Sequence, residues 1–260
     1  MTLPLSPIII ISLILVLAII FKIWRRHHNN KIIAESTDLH RGTASEREII
    51  LKLRKFGIKA QDIYHDLYFR RRNGTYVQVD MVVPTEVGII VFELKDYKGW
   101  IFGDGNHNKW TQVLNYGRVK NLFYNPVMQN EGHIFHMREL CPQLRNVPIY
   151  SVIVFSGDCR FRKMRNIPQD VHIIYDSKLK RTLKSIFKNP TVSYQNKAEI
   201  VRFLEQAKAN GADSKIVAEH IEYVRSRHGH KRGSHNLFKW IILSPFRMLR
   251  IVLRIIGRLF

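Results

Sequence analysis

Two strongly apolar segments joined by a short loop constrain the fold of this chain more than any other feature. Residues 76–83 and 89–95 are rich in Val, Ile and Phe, and residues 84–88 form the loop between them. Segments of this length and composition are typical of buried strands, and a short connection favours antiparallel pairing. Because strands that are apolar on both faces must be covered on both sides, these segments predict helices packed on a sheet.

The rest of the middle region supplies the other elements of a mixed α/β domain. Further strands are predicted at residues 63–69, which enter a hairpin turn at Asn73-Gly74, and at 100–102, 109–113, 149–156 and 171–175. Helices are predicted at residues 44–56, 128–140, 177–187, 196–208 and 213–226. A chain of 260 residues can bury one such core, and two cysteines exclude a disulfide-stapled secreted protein. The predicted fold class is α/β, with a mixed sheet flanked by helices.

The N-terminal flank has the composition of a membrane anchor. Residues 2–21 carry no charge, and about 20 apolar residues are enough for a helix to cross the hydrocarbon core. A cleavable signal peptide would need a basic start and small residues at a cleavage site, and both are missing. Trp24 lies where an interfacial aromatic belongs, before Arg25 and Arg26. The positive-inside rule therefore predicts a single-pass transmembrane helix at residues 1–25, a basic linker at 26–37 and the domain in the cytoplasm.

The C-terminal flank differs because charges interrupt its apolar residues. After a basic linker at residues 228–236, residues 237–260 carry four arginines spaced by three, four and four, namely Arg247, Arg250, Arg254 and Arg258. This spacing aligns the arginines on one helix face, which predicts an amphipathic helix on the membrane surface that pairs arginines with anionic lipid. A helix packed on the domain or on a partner is the alternative, and four arginines disfavour a second span.

Two carboxylates and a lysine interrupt the two central strands. Antiparallel pairing about residues 86–87 places Asp80 opposite Glu93, or within one residue of it. Directly opposite residues have Cβ atoms about 4.5–5.5 Å apart, and two carboxylates that close repel unless one is protonated or a cation lies between them. Mg²⁺ (or Mn²⁺), bound by both carboxylates and water, would remove the repulsion, and Lys95 could orient or deprotonate a water there. These groups suit phosphodiester hydrolysis; the alternative, a solvated salt-bridge ladder, is disfavoured by the apolar surroundings.

The order of these residues resembles that of a known group of nucleases. Asp80 followed by Glu93-Leu94-Lys95 is similar to the core of the PD-(D/E)xK nucleases, and further motifs resemble the nuclease-related domain (NERD) family more specifically. These motifs are Gly42-Thr43-Ala44-Ser45-Glu46, Gln78-Val79-Asp80, Gly99, Trp110, Asn125-Pro126-Val127-Met128-Gln129-Asn130 and the strand at 150–156. The resemblance covers roughly residues 38–180.

The resemblance implies a restriction-endonuclease-like core, assigned to residues 38–187 and followed by a helical extension at 188–227. It implies that Asp80 and Glu93 bind the metal ion and that Lys95 is the catalytic lysine. Glu46 and Gln129 would also belong to the active site. Each has an alternative role, since Thr43-x-x-Glu46 is a capping-box pattern and Gln129 could satisfy backbone groups at a helix start.

Clustered cations indicate a polyanionic partner. The formal net charge is +21, and Arg70, Arg71 and Arg72 lie beside the predicted turn; with Lys109 they are the candidate nucleic-acid contacts. A second run of cations surrounds Phe161, and either run could instead attract anionic lipid.

Taken together, the sequence predicts a membrane-anchored, Mg²⁺-dependent endonuclease that hydrolyses DNA on the cytoplasmic side. One alternative is a catalytically silent protein that tethers nucleic acid or a partner to the membrane. The other is a membrane-interaction protein in which residues 237–260 are the functional part.

Overall fold

The computed structural model describes residues 7–39 and 41–228, which form six α-helices and nine strands. The helices are α1 (Pro7–Ala34), α2 (Ala44–Phe56), α3 (Pro126–Leu140), α4 (Leu179–Ile186), α5 (Lys197–Ala212) and α6 (Ser214–His228). The strands are β1 (Tyr64–Arg70), β2 (Tyr76–Thr85), β3 (Gly88–Asp96), β4 (Gly99–Asp104), β5 (Lys109–Leu114), β6 (Val119–Tyr124), β7 (Ile149–Ser156), β8 (Cys159–Arg165) and β9 (Val171–Tyr175).

The first sheet has the strand order β1-β2-β3-β7-β9 and mixes both kinds of pairing. Strands β1, β2 and β3 pair antiparallel, whereas β3, β7 and β9 pair parallel. Alternate residues of β3 enter different cores because successive side chains of a strand point to opposite faces. Phe92 lies in a cluster with residues of α2 and α4, and Val91 lies in a cluster with residues of α3 and α5. The predicted mixed sheet flanked by helices is therefore confirmed.

Local sequence signals explain where α2 and the first hairpin begin and end. The Thr43 hydroxyl accepts a hydrogen bond from the Glu46 N–H at the start of α2, and Gly57 (φ 113°) ends the helix in the left-handed conformation. In the turn between β1 and β2, the Asn73 side chain accepts from the Thr75 N–H, and Gly74 has φ 84°. The helix predicted at residues 44–56 and the hairpin predicted at Asn73-Gly74 are both confirmed.

The chain also forms a second mixed sheet, with the order β6-β5-β4-β8, so the expectation of one sheet is corrected to two. Sequence patterning predicts β4 and β5 but neither β6 nor β8. Both missed strands lie at the edges of the sheet, and most of their side chains are exposed. An exposed edge strand lacks the apolar alternation by which strands are recognised. The buried face of this sheet packs on the first through a cluster that includes Trp110, Ile101 and Phe155.

Helix α1 is continuous through residues 26–34, where the sequence predicts a linker. Its apolar side chains between Ile9 and Trp24 are 46% to 64% exposed, whereas Ile33 is buried near the helix end. Among the residues that the structure describes, no helix combines the length and the hydropathy of a membrane span. The transmembrane helix predicted at residues 1–25 is thus not confirmed.

Helix α6, which ends at His228, belongs to a second unit that begins at Lys215. The helix at residues 213–226 was predicted and is confirmed. The amphipathic helix predicted at residues 237–260, with Arg247, Arg250, Arg254 and Arg258, lies outside the described residues. That membrane-surface helix stays a prediction.

Candidate active site

The two predicted metal-binding carboxylates lie where β2 and β3 separate. Antiparallel pairing ends at Met81 opposite Phe92, and one more step of this register places Asp80 opposite Glu93, as the sequence predicts. Beyond this point the Leu94 N–H donates to Asp80 Oδ2 at 2.8 Å. The Asp80 carboxylate therefore accepts a hydrogen bond from a backbone N–H of β3 beyond the last paired residues. This bond holds the carboxylate beside β3.

Glu93 and Lys95 form a buried ion pair that also contacts α3. The Glu93 side chain is 1% exposed, and its Oε1 lies 2.5 Å from Lys95 Nζ. Lys95 Nζ also donates to Gln129 Oε1 at 3.1 Å. Gln129 lies in the first turn of α3, which Asn125 caps by accepting from the Val127 N–H. The structure thus brings Gln129 to the candidate site and gives Asn125, rather than Gln129, the capping role.

His133 is a member of this cluster that was not among the predicted site residues, since a lone histidine on a helix is more often structural. Its Nε2 lies 3.3 Å from Glu93 Oε2, an ion-pair distance without hydrogen-bond geometry. His133 follows Gln129 by four residues, so both lie on one face of α3. That spacing is the signal by which His133 could have been found. The neighbouring His136 is not at this site; its ring faces Glu139, 3.5 Å away.

Glu46 reaches the site as the third residue of α2 and is held by a second histidine. Its Oε1 accepts from the Thr43 hydroxyl at 2.9 Å, and its Oε2 lies 2.8 Å from His65 Nε2. His65 is buried in β1, and its Nδ1 lies 3.0 Å from the Thr37 hydroxyl. The capping role of Glu46 is therefore present, and its charge acts on Asp80, while its role in an active site stays a prediction. His65 has no motif that would have identified it.

Gly42 leaves the space that Glu46 and His65 occupy. A Cβ at Gly42 would collide with Glu46 Oε2 and with the His65 ring, and the residue has φ 68°. Glycine is thus required here both by its backbone conformation and by the close approach of these two side chains.

Burial and neighbouring charges shift the ionisation of the four groups in different directions. Burial, then the charges of Glu93 and Glu46, raise the pKa of Asp80 well above its usual range, and Lys95 offsets only part of this. Burial also acts to raise the pKa of Glu93, but the charge of Lys95 and the proximity of His133 outweigh it and the pKa is lowered.

Lys95 and Glu46 are both held in their charged forms. Burial acts to lower the pKa of Lys95, but the charges of Glu93 and Asp80 outweigh it and the pKa is raised. Burial acts to raise the pKa of Glu46, but the hydrogen bond and charge of His65, with the hydrogen bonds of Thr43, lower it. The site therefore contains two ionised carboxylates, a cationic lysine and one carboxyl group, Asp80, that lacks sufficient positive charge.

This donor set fits a hard divalent cation. Glu93 Oε2 is buried and accepts no hydrogen bond from the described residues, and burial together with the charges of Glu93 and Glu46 raises the pKa of Asp80. An ion bound by Asp80 and Glu93, with water completing its shell, would satisfy both groups. The described residues contain no cluster of three or more His, Cys, Asp or Glu side chains arranged for a metal ion, so the protein would supply two side-chain ligands.

The candidate nucleic-acid contacts belong to two different sheets. Arg70, Arg71 and Arg72 lie at the turn between β1 and β2 of the first sheet, whereas Lys109 begins β5 of the second sheet. Trp110, next to Lys109, is 1% exposed, and its indole N–H donates to the Asp104 carbonyl at 3.0 Å. Trp110 is therefore part of the core. Trp24, predicted to lie at the membrane interface, is 59% exposed on α1.

Comparisons with known proteins agree with the resemblance seen in the sequence. Residues 41–156 match the model of the NERD family, the nuclease-related domain. An uncharacterized protein of Bacillus anthracis is 26% identical over 198 residues, which cover 76% of this chain and 90% of that protein. No solved structure gave a significant match. The family prediction is confirmed for the matched segment.

Proposed function

We propose that the nuclease-related domain at residues 41–156 makes this protein a Mg²⁺-dependent (or Mn²⁺-dependent) endonuclease that hydrolyses phosphodiester bonds of DNA. The observation that carries the proposal is that the Leu94 N–H of β3 holds the Asp80 carboxylate beside the buried ion pair of Glu93 and Lys95. Buried charges cost folding free energy, so a chain rarely keeps them unless they serve the fold or the function. A catalytic use explains why three of them interrupt the most apolar strands of the domain.

Asp80 and Glu93 would hold the metal ion in this proposal. When bound, the ion would polarise a phosphoryl oxygen and lower the pKa of a bound water. Lys95 is protonated because Glu93 and Asp80 raise its pKa, so it acts as a fixed positive charge rather than as a base. Its ammonium group stabilises the negative charge that develops on the phosphoryl oxygens. Gln129 and Glu93 fix the position of that ammonium.

The test is cleavage by the purified full-length protein in detergent. Supercoiled plasmid, linear duplex, single-stranded DNA and RNA are incubated with Mg²⁺, with Mn²⁺ or with EDTA. The proposal expects nicking of the plasmid with either metal and none in EDTA. Salt-sensitive binding without any cleavage would reject the enzyme and support the tether.

Glu46 and His133 are proposed to act as positioning residues. Glu46→Gln is expected to lower metal affinity or cleavage by about 10- to 100-fold, the usual effect of outer-shell partners of a metal site. The melting temperature should change little, because Gln at this helix position retains the capping-box hydrogen bonds. Isothermal titration with Mn²⁺ and cleavage rates are the measurements. Unchanged affinity and rate would show that Glu46 serves only to cap α2.

We also propose that α1 attaches the protein to a membrane, with the domain on the cytoplasmic side. Support comes from the exposure of the apolar side chains between Ile9 and Trp24 and from the basic residues Arg25 and Arg26 that follow. In water, exposed apolar surface of this extent is normally covered by a membrane or by another protein.

Deletion of residues 8–21 is expected to release the protein from membranes. Full-length protein should float with membranes in a density gradient and resist alkaline carbonate, whereas the deleted protein should remain at the bottom in the soluble fraction. Flotation separates membrane binding from aggregation, because aggregates sediment. Full-length protein that fails to float would contradict the proposal.

A further inference from the structure

The second sheet has one buried face and one exposed face. Trp110, Gln112 and Ile101 lie on the buried side, so the alternate residues of β4 and β5 lie on the other. The strand registers then assign three residues of each strand to the exposed side, which we call the outer face. These are Arg160, Lys163 and Arg165 of β8, Trp100, Phe102 and Asp104 of β4, Lys109, Thr111 and Val113 of β5, and Lys120, Leu122 and Tyr124 of β6. Val113 is buried among its neighbours, at 7% exposure.

Positive charge dominates the outer face. Five of its side chains are exposed cations, namely Lys120 on β6, Lys109 on β5 and three on β8. Asp104 is its single acid. Arg162, at the bulge in β8, adds a sixth, and its guanidinium lies 4.6 Å from the centre of the Trp100 ring. Within the described residues none of the six forms a salt bridge. Their charge is therefore available to a polyanion.

Flat and apolar side chains lie between these cations. Tyr124 is 53% exposed and Leu122 is 65% exposed, while Trp100 and Phe102 are half-buried on the adjacent part of the sheet. Neighbouring strands are about 4.8 Å apart, so the cations of β8 lie roughly 14 Å from those of β6. The aromatic rings therefore lie in a strip of the sheet that has cations along both sides.

We propose that the outer face binds single-stranded nucleic acid, with phosphates at its cations and bases stacked on its rings. Exposed rings on a four-stranded sheet stack unpaired bases, and guanidinium planes such as that of Arg162 do the same. A duplex hides its bases from such a surface. A lipid bilayer would require the apolar groups to project together, whereas here Arg162 covers the Trp100 ring.

The outer face is close to the candidate active site along the chain. Trp100 follows Lys95 by five residues, which span at most about 18 Å. The ring of Tyr97, between them, contacts Phe123 of β6 on the buried side of the sheet, with ring centres 4.6 Å apart. A strand bound beside Trp100 on the outer face would therefore pass the edge of the sheet to reach Lys95, over a path of a few nucleotides. In taking this strand to be the substrate, the inference rests on the proposed nuclease function.

The experiment measures binding by full-length protein in detergent and EDTA, so that its outcome does not depend on cleavage. Fluorescence anisotropy follows a labelled 20-nucleotide single strand and the matching duplex over a range of salt concentrations. The test variant carries Lys120→Glu, Arg160→Glu and Arg165→Glu. Its matched control carries Lys184→Glu, Lys197→Glu and Arg202→Glu, three exposed cations of α4 and α5.

The test variant is expected to bind the single strand at least 30-fold more weakly, and the control less than threefold. The slope of log affinity against log salt should fall by about 2, since each lost phosphate contact on a single strand accounts for about 0.7. Equal losses in the two variants would overturn the proposal. So would an outer-face variant that keeps its affinity for the strand but no longer binds vesicles of phosphatidylcholine and phosphatidylglycerol.

Tyr124 provides a second variant that separates stacking from charge. Tyr124→Ala is expected to weaken binding to the single strand about tenfold and binding to the duplex by less than twofold, because only unpaired bases stack on the ring. Tyr124→Phe should keep the affinity, which excludes a folding defect as the cause. Equal losses on single strand and duplex, or a loss in Tyr124→Phe equal to that in Tyr124→Ala, would contradict base stacking.

Discussion

Glu93→Gln is expected to reduce metal-dependent cleavage by about 1000-fold or more while leaving the protein folded. The substitution keeps the size of a side chain that is 1% exposed, but it removes the charge that a divalent cation requires. It also removes the charge that holds the Lys95 ammonium, which lies 2.5 Å from Glu93 Oε1. Loss of one fixed electrostatic group from an active centre commonly costs about 100- to 1000-fold in rate, and here two groups are disturbed together.

The measurement is the initial rate of plasmid nicking in saturating Mg²⁺, with the fold checked by circular dichroism. Glu131→Gln is the matched control, because Glu131 lies exposed on α3 and should leave the rate unchanged. A folded Glu93→Gln protein that retains more than a tenth of the wild-type rate would exclude Glu93 as a metal ligand. Any cleavage by that protein would then have to come from a site that does not use Glu93.

The central strands and the facing carboxylates could be predicted because both depend on local pattern. The apolar run of β3 and the short connection to β2 fix the antiparallel register, and that register alone places Asp80 opposite Glu93. The ends of α2 follow from the cap at Thr43 and from Gly57. Each of these features is encoded within about a dozen neighbouring residues.

The missed features depend on contacts between distant segments. His65 meets Glu46 across 19 positions, and His133 meets Glu93 only because α3 packs on β3. The lone His65 carries no information in the sequence about such a partner, and the spacing of His133 from Gln129 indicates only that these two residues share a helix face. Strands β6 and β8 were missed for another reason: their exposed cations resemble a charged loop, whereas pairing with β5 and β4 makes them the edges of a sheet.

The same electrostatics that suit Asp80 to a metal ion should make it destabilising when no metal is bound. Burial and the charges of Glu93 and Glu46 raise the pKa of Asp80 in the folded protein above its unfolded value. The folded state is therefore most favoured below the unfolded pKa of this group, and it loses stability as the pH rises towards the folded pKa. At pH values above the unfolded pKa of Asp80, this side chain therefore opposes folding.

Asp80→Asn is accordingly expected to raise the melting temperature in EDTA at pH 7 while abolishing cleavage. The Asn carbonyl can still accept from the Leu94 N–H, so the hydrogen bond at the end of the ladder is retained. Each kcal/mol of relieved repulsion corresponds to about 2–4 °C for a domain of this size.

Divalent cations should reverse this order of melting temperatures between wild type and Asp80→Asn. Metal binding stabilises the folded state, and only the wild-type protein has both ligands, Asp80 and Glu93. In wild-type protein, 10 mM Mg²⁺ or Mn²⁺ should raise the melting temperature, whereas in Asp80→Asn it should have no effect. Differential scanning fluorimetry of both proteins with and without metal measures the two effects at once. Asp170→Asn, a change at an exposed carboxylate, should match wild type in both conditions. An Asp80→Asn protein that melts below wild type in EDTA would show that the Asp80 carboxylate serves the fold rather than the metal.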